Sequence, residues 1–304
     1  LEKVFYQLCN LLHAPIVFVF VFDGPGRPSM KRGTRVVFHD NNREFMRDLK
    51  AMILAFGFYH YEASAPGEAE AELAQLNASG KIDAVITEDS DCFVFGARRV
   101  IRTHGLESLT DVAVSRPSVQ NSALVYTLDT LPLDTDAFLL CALLLGGDYG
   151  PGIPGAGPKV ATALAACGFG RELVKILKTC IGIVLDQRLD QWRRMLQKEL
   201  AENTSGFLDC CHPSLAASMN PTFPDIRVAE MYLYPLTSKS PIFLGAAPDV
   251  SSWRPKLPDI TSLSSFCSTK FGWQGQPLLK KFNSTLWPGA AFKLISLVRF
   301  RMSL

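Results

Sequence analysis

Residues 16–22 read IVFVFVF, and every one is β-branched or aromatic. Such a run has no face for water, so a strand there must be buried on both sides, as in a parallel sheet. It stops at Asp23-Gly24. A second apolar stretch, DAVIT at 83–87, stops in the same way at Glu88-Asp89-Ser90-Asp91. Helical patterns lie between them. Phe45, Leu49, Met52/Ile53 and Phe56 recur at helical spacing over 43–56. Pro66-Gly67 opens a helix that runs to about Ala78, with Gly80 as its stop. Residues 1–12 look like a helix and 59–62 like a short strand. Residues 92–95 and 98–102 continue the sheet or its edge, and 134–145 form an apolar helix capped by Asp134. Strands that alternate with helices predict an α/β domain, a mostly parallel central sheet flanked by helices. At 304 residues the chain can bury a large core, in one big domain or two small ones.

The acidic residues sit where these elements end. Ligands of parallel α/β sheets gather beyond the carboxyl ends of the strands, so Asp23, Asp89 and Asp91 share that edge. Asp89 and Asp91 are two apart, which keeps them on one side of an extended backbone. Glu68 and Glu70 fall in the first turn of a helix. Dipole compensation explains either one alone, but not the pair beside strand-end aspartates. Asp148 follows the apolar helix in LLGGDYG. Six carboxylates on one patch repel one another unless cations occupy it, and hard divalent ions with oxygen ligands are the natural occupants. Two such ions close together serve in-line displacement at phosphorus. The pattern therefore predicts a metal-dependent phosphodiesterase, and a nuclease in particular.

Residues 146–157 read GGDYGPGIPGAG and lead into a helix from Pro158 to about Cys167. Gly155-Ala156-Gly157 before a helix N-terminus suits the close approach of a phosphate, and Lys159 adds charge. Tight helix–helix turns also use glycine. Contacts of this kind hold a duplex without reading its sequence. The formal net charge is only +2, so a nucleic-acid surface must be a local patch. Basic clusters occur at Arg27–Arg35, Arg43–Lys50, Arg98–Arg102 and Arg188–Lys198; part of these are ordinary solvated helix faces. The eight cysteines lack CxxC spacing, and Cys92, Cys141 and Cys167 read as reduced core residues. Cys210, Cys211 and His212 adjoin without a partner pair for zinc. The four tryptophans read as core, and the histidines show no triad or ligand spacing. The longest apolar run, Ala14–Phe22, is too short to span a membrane, and no secretory signal opens the chain.

Three blocks together resemble the flap endonuclease/XPG family of structure-specific nucleases: VFVFDGPGRPSMKRG, APGEAEAELAQLNASGKIDAVITEDSDCFVFGA and LLLGGDYGPGIPGAGPKVA. They cover roughly 14–35 and 60–180, in the family's order and spacing. The resemblance implies a PIN-like nuclease core with a helix–two-turn–helix element at about 146–168. It implies two Mg²⁺ ions, replaceable by Mn²⁺, with metal-site carboxylates at Asp23, Glu68, Glu70, Asp89, Asp91 and Asp148. Lys31 matches a basic residue that contacts the scissile phosphate. The spacing of the second basic residue fails, leaving Arg32 and Arg35 as candidates. Gly152, Gly155, Gly157 and Lys159 match the duplex-gripping element, which often holds a monovalent cation. The family opens on a further strand bearing an aspartate, which nothing in residues 1–13 supplies. The expectation is that this strand is missing from the chain as given, or that segments join across omitted residues, with Arg35-Val36-Val37 a candidate joint.

CHPSLAASMNPTFPDIRVAEMYLYPLTS and SWRPKLPDITSLSSFCSTKFGW are similar to eukaryotic Holliday-junction resolvases, fungal ones above all. This implies paired nicking of four-way DNA junctions by two copies meeting on branched double-stranded DNA, in the nucleus, away from any membrane. A 5′-flap endonuclease or 5′-exonuclease of the same family is the alternative, and a non-catalytic junction-binding protein a further one. The expected organisation is a nuclease core over 1–200, a C-terminal extension of it over 201–290, and a strand-like start of a chromodomain-like module over 291–304. Within it, 171–200 reads as helical, with further helices near 259–271 and 275–287.

Overall fold

The computed structural model describes residues 1–24, 30–31, 34–35, 41–63, 67–103, 123–241 and 247–302. Strand β1 (Val19–Phe22) runs parallel to β4 (Tyr59–Glu62), with Val19 opposite Tyr59 and Phe22 opposite Glu62. The helix α2 (Asn41–Ala55) lies in the crossover between them, as a parallel pair requires. Strand β5 (Val85–Ile86) runs parallel to β6 (Arg99–Thr103), and β7 (Ala123–Thr127) adds an antiparallel edge. A small antiparallel ribbon joins β2 (Met30–Lys31) to β3 (Thr34–Arg35). The α/β reading holds, and both inner pairs are parallel.

The sheet comes in short pieces. Among the described residues β1 pairs only with β4, and β5 only with β6. Helix α3 (Ala69–Ala78) packs against both β1 and β5, so the two pieces lie over one helix. Between them is a cavity of about 1500 Å³, lined by Val19, Val21 and Ile86 from the strands and by Leu73 and Leu76 from α3.

Two main cores flank the strands. The first joins α1 (Glu2–Leu11), α2 and α11 (Ile260–Phe271) around Phe5. Its ring lies 5.3 Å from that of Phe56 and 5.4 Å from that of Trp273, both edge-on, the geometry that aromatic quadrupoles favour. The second joins α5 (Thr135–Leu145), α6 (Pro158–Ala166), α7 (Phe169–Thr179) and α8 (Gly182–Glu202) around Trp192. The Trp192 indole donates to the Phe169 carbonyl at 3.1 Å. Helix α5 starts where expected, and the Asp134 carboxylate accepts from the Ala137 amide at 2.9 Å.

Three local readings are corrected, and one is refined. Residues 92–95 do not continue the sheet. Asp89 Oδ1 accepts from the Asp91 amide at 2.9 Å, which turns the chain into helix α4 (Asp91–Val94). Phe93 then stacks on Phe138 of α5. The stretch 171–200 is two helices, α7 and α8, parted at an extended Cys180. Residues 291–302 are not strand-like. Helix α12 (Gly275–Lys281) continues through a π-turn (Phe282–Leu286) into α13 (Trp287–Met302). Gly289 sits against α1, where a Cβ would meet Leu12 Cβ at 2.7 Å, so packing decides the helix. Trp192 and Trp273 are core, but Trp287 is exposed. Short helices α9 (Pro213–Ser218) and α10 (Ile226–Leu233) order part of the stretch after Gly206, which prolines punctuate from Pro221 to Pro258. No described helix is long and apolar enough to cross a membrane.

Two features of this fold yield measurable outcomes. Gly152 has φ +72°, and a Cβ there would meet Gly146 N at 2.3 Å and the Leu145 carbonyl carbon at 2.4 Å. Gly152→Ala should lower unfolding free energy by roughly 3 kcal/mol in urea titrations, from strain and backbone overlap together. Asp48, buried on α2, meets Lys270 Nζ of α11 at 2.5 Å. The Lys270 hydrogen bond is the first cause that holds its carboxyl below the ordinary 3.8. A depressed carboxyl stabilises the fold above 3.8, and that share is lost as pH falls through the lower folded value. Asp48→Asn should therefore be less stable than the parent at neutral pH, with the gap closing below 3.8 in melts across a pH series.

Candidate active site

The strand ends and α3 bring the acids to one place. Asp23 follows β1 directly. Its Oδ1 accepts from the Ala69 amide at 3.0 Å, so a residue from another strand caps the first turn of α3. The Gly24 amide donates to the Gly67 carbonyl at 2.9 Å and locks the two segments side by side. Glu68 is the N-cap residue of α3 and is buried; Glu70 is half-buried in the first turn. The Tyr149 hydroxyl donates to Glu68 Oε2. On the other strand, Asp89 and Asp91 follow β5 in the turn that starts α4. The Asp89 amide donates to Thr87 Oγ1 at 3.0 Å. Asp91 Oδ2 accepts from the Tyr232 hydroxyl at 3.2 Å.

The rings of Tyr149 and Tyr232 meet edge-on, 4.7 Å apart. They join the two acidic groups. Tyr232 lies on α10, 97% buried, and its phenol is pushed far above the ordinary tyrosine range. Burial is the largest cause, followed by the charge of Asp91, then Asp148 and Asp89. Three aspartates from two chain segments thus act on one hydroxyl. Asp148, between α5 and α6, reaches this group by the Gly146–Gly152 turn, where the Gly147 amide donates to the Gly150 carbonyl at 2.9 Å. The structure brings Asp23, Glu68 and Glu70 to the head of α3, and Asp89, Asp91 and Asp148 to Tyr232. Among the described residues, no three acids close into a ready cation cage. The donors are carboxylate oxygens, the chemistry that suits a hard divalent ion rather than a thiophilic one.

The basic candidates come from other segments of the chain. Lys31 and Arg35 lie in the β2–β3 ribbon, where Lys31 is opposite Thr34 and Met30 opposite Arg35. Arg32 and the Val36-Val37 side of the candidate joint lie outside the described residues. Gly157 is the N-cap residue of α6, preceded by Gly155 at φ +90°. Lys159 is exposed on the first turn of α6, 3.4 Å from Asp209 Oδ2. Several arginines of the basic clusters serve structure. Arg102 donates to the Glu88 carbonyl at 2.5 Å, Arg193 to the Phe223 carbonyl, also at 2.5 Å, and Arg47 lies 3.3 Å from Asp48.

Sequence reasoning passed over the two tyrosines. Tyr149 adjoins Asp148, and that adjacency was a usable signal. Tyr232 stands 141 residues from Asp91, in a proline-punctuated stretch where the sequence reading placed no helix, and no local pattern marks it.

The XPG I-region family matches residues 62–148, which hold Glu68, Glu70, Asp89, Asp91 and Asp148. The chain carries an XPG I-region and has the nuclease fold of the flap endonuclease/XPG family. Human "Flap endonuclease GEN homolog 1" is 30% identical over 210 residues, 63% of this chain and 21% of that protein. A crystal structure of the Holliday junction-resolving enzyme GEN1 with product DNA and Mg²⁺ superposes with a TM-score of 0.67 at 32% identity, over 95% of this chain and 64% of that one. The eukaryotic junction-resolving enzyme GEN-1 with cesium gives 0.70 at 30% identity, with the same coverage. The chain therefore spans about a fifth of the curated relatives it matches first.

At the head of α3, the Asp23–Ala69 bond gives the Asp23 carboxylate a capping role that can be tested apart from any metal. Asp23→Ala strands the α3 amide and should cost about 1 kcal/mol of stability. Asp23→Asn keeps an acceptor and should cost less. Thermal melts in a chelating buffer check this; equal losses for both variants would remove the capping role.

Proposed function

We propose that this chain is the core of a metal-dependent endonuclease that cuts branched DNA, with the four-way junction as its substrate. The observation that carries the reading is the meeting of strand-end and helix-end carboxylates on the Tyr149–Tyr232 pair. The likeness to a Holliday junction-resolving enzyme seen with product DNA and Mg²⁺ supports the substrate class. Asp23, Glu68, Glu70, Asp89, Asp91 and Asp148 would hold Mg²⁺ or Mn²⁺, directly or through water. A bound pair of such ions supplies an activated water and neutralises charge on the attacking and leaving oxygens.

The chain's own residues do the rest. Lys31, with Arg32 and Arg35 nearby in sequence, offsets charge on the phosphate as it builds. The free amides at the N-terminus of α6 take a backbone phosphate of the duplex, and Gly152, Gly155 and Gly157 let the backbone come close. A junction-resolving relative is seen with cesium, which supports a monovalent cation here, and we place it at the helix–two-turn–helix. Specificity follows from how readily a branch bends, not from base edges. Paired nicks need two active sites, so two copies meet on one junction.

The slot between β1 and β5 suits one further strand, parallel to both, completing the sheet over α3. We assign that place to the further strand that the resemblance to the flap endonuclease/XPG family implies. The nuclease core then covers 1–200, with 201–290 as its extension and 291–304 leading into a further module. The reading places the protein in the nucleus.

Asp89→Ala should lower cleavage by more than about 100-fold, since even outer partners of metal sites cost 10–100-fold, while gel-shift binding to a junction persists. Unchanged cutting would defeat the metal-site reading. Gel assays on a four-way junction against a 5′-flap decide the substrate. Good flap cutting without paired nicks on opposing junction strands would favour the flap endonuclease, the activity named for the human relative.

A further inference from the structure

Tyr232 lies far from every acidic motif, yet its hydroxyl ends among them. The ring packs under Phe95 at 5.6 Å and against Tyr149 at 4.7 Å, and the side chain is nearly sealed from water. Packing alone needs only the ring. The hydroxyl is a buried polar group, and burial without a partner is costly. Its partner is Asp91 Oδ2 at 3.2 Å. The bond leaves Asp91 Oδ1 to other partners and fixes the rotation of the carboxylate. Gly147, one residue before Asp148, completes the fit: a Cβ there would meet the Tyr232 hydroxyl at 2.8 Å and Asp91 Oδ2 at 4.0 Å. A residue without a side chain is thus placed where the phenol must pass to reach the aspartate.

On the reading proposed above, we infer that Tyr232 is a positioning residue: by hydrogen bond it sets the orientation in which Asp91 meets a divalent cation, and so ties helix α10 to the strength of metal binding. Tyr149 holds Glu68 in the same way from the opposite side of the ring pair. The C-terminal extension thereby contributes to a site whose acids all come from the first half of the chain. Outer partners that orient metal-ligating carboxylates change metal affinity by about 10–100-fold.

The test is Tyr232→Phe in the full-length protein, which keeps the ring and removes the hydroxyl. Mn²⁺ binding is followed by the electron paramagnetic resonance of the free ion, without DNA, alongside cleavage kinetics on a four-way junction. The expected result is about tenfold weaker Mn²⁺ binding, lower kcat at limiting metal, recovery of kcat at high metal, and an unchanged KM for DNA. Gly147→Ala should give the same loss by displacing the hydroxyl, and stands in if Tyr232→Phe does not fold. Mn²⁺ affinity equal to the parent in both variants, with Asp89→Ala losing it, would leave Tyr232 a packing residue and overturn the inference. Asp89→Ala that still binds Mn²⁺ and still cuts would instead overturn the functional reading itself.

Discussion

Helix α3 is the constraint on which the rest depends. Its first amide is held by Asp23 from the end of β1. Its far end is held through Asn77, whose side chain accepts from the Arg98 and Arg99 amides at 2.7 and 2.9 Å and donates to the Ile82 carbonyl at 3.0 Å. One helix thus fixes where β1 ends, where β5 begins and where β6 enters. Small residues, Ala71 and Ala74, let it lie close beneath the strands. Glu72, also buried, accepts from the Ser238 amide at 2.7 Å, so the chain around Ser238 attaches to the same helix. The weak amphipathicity of AEAELAQLNA follows from this. A helix covered on several sides has no water face to advertise.

The site is a problem in electrostatics that the fold has half solved. Carboxylates so placed repel, and each needs a donor. Asp23 finds the amide of Ala69, Asp89 that of Asp91, Asp91 the phenol of Tyr232 and Glu68 that of Tyr149. These bonds hold the acids at the carboxyl ends of β1 and β5 and at the head of α3 without gathering any three of the described residues into a closed cage. That arrangement suits ions that bind through water and share ligands, as magnesium does.

Much of this was legible in the chain. The two apolar runs, each halted by acids, announced parallel strands and the edge where chemistry gathers, although Val19–Phe22 are only half-buried and Ile86 is exposed. Asp134 was readable as a cap, since its carboxylate meets the third amide after it. The errors arose where local pattern and packing disagree. Residues 92–95 have strand-like composition, but the Asp89 side chain turns the backbone before a strand can form. Residues 291–302 alternate like a strand, yet they extend a helix already running from α12 and packed on α1 through Gly289. The stretch 171–200 is helical as read, and only Gly182, at φ +58°, marks the break that follows Cys180.

Taken alone, the amino-acid order determined which residues are chemically able to act: acids at strand and helix ends, glycines before α6, and the apolar strands that carry them. These are short-range matters of periodicity, capping and side-chain chemistry. Only the tertiary structure decided which acid meets which hydroxyl, which arginines are held by Glu88 and by the Phe223 carbonyl, and that Tyr232 reaches back 141 residues to Asp91. Such contacts come from how α3, α5 and α10 pack. Packing over long sequence separation leaves no local periodicity to read.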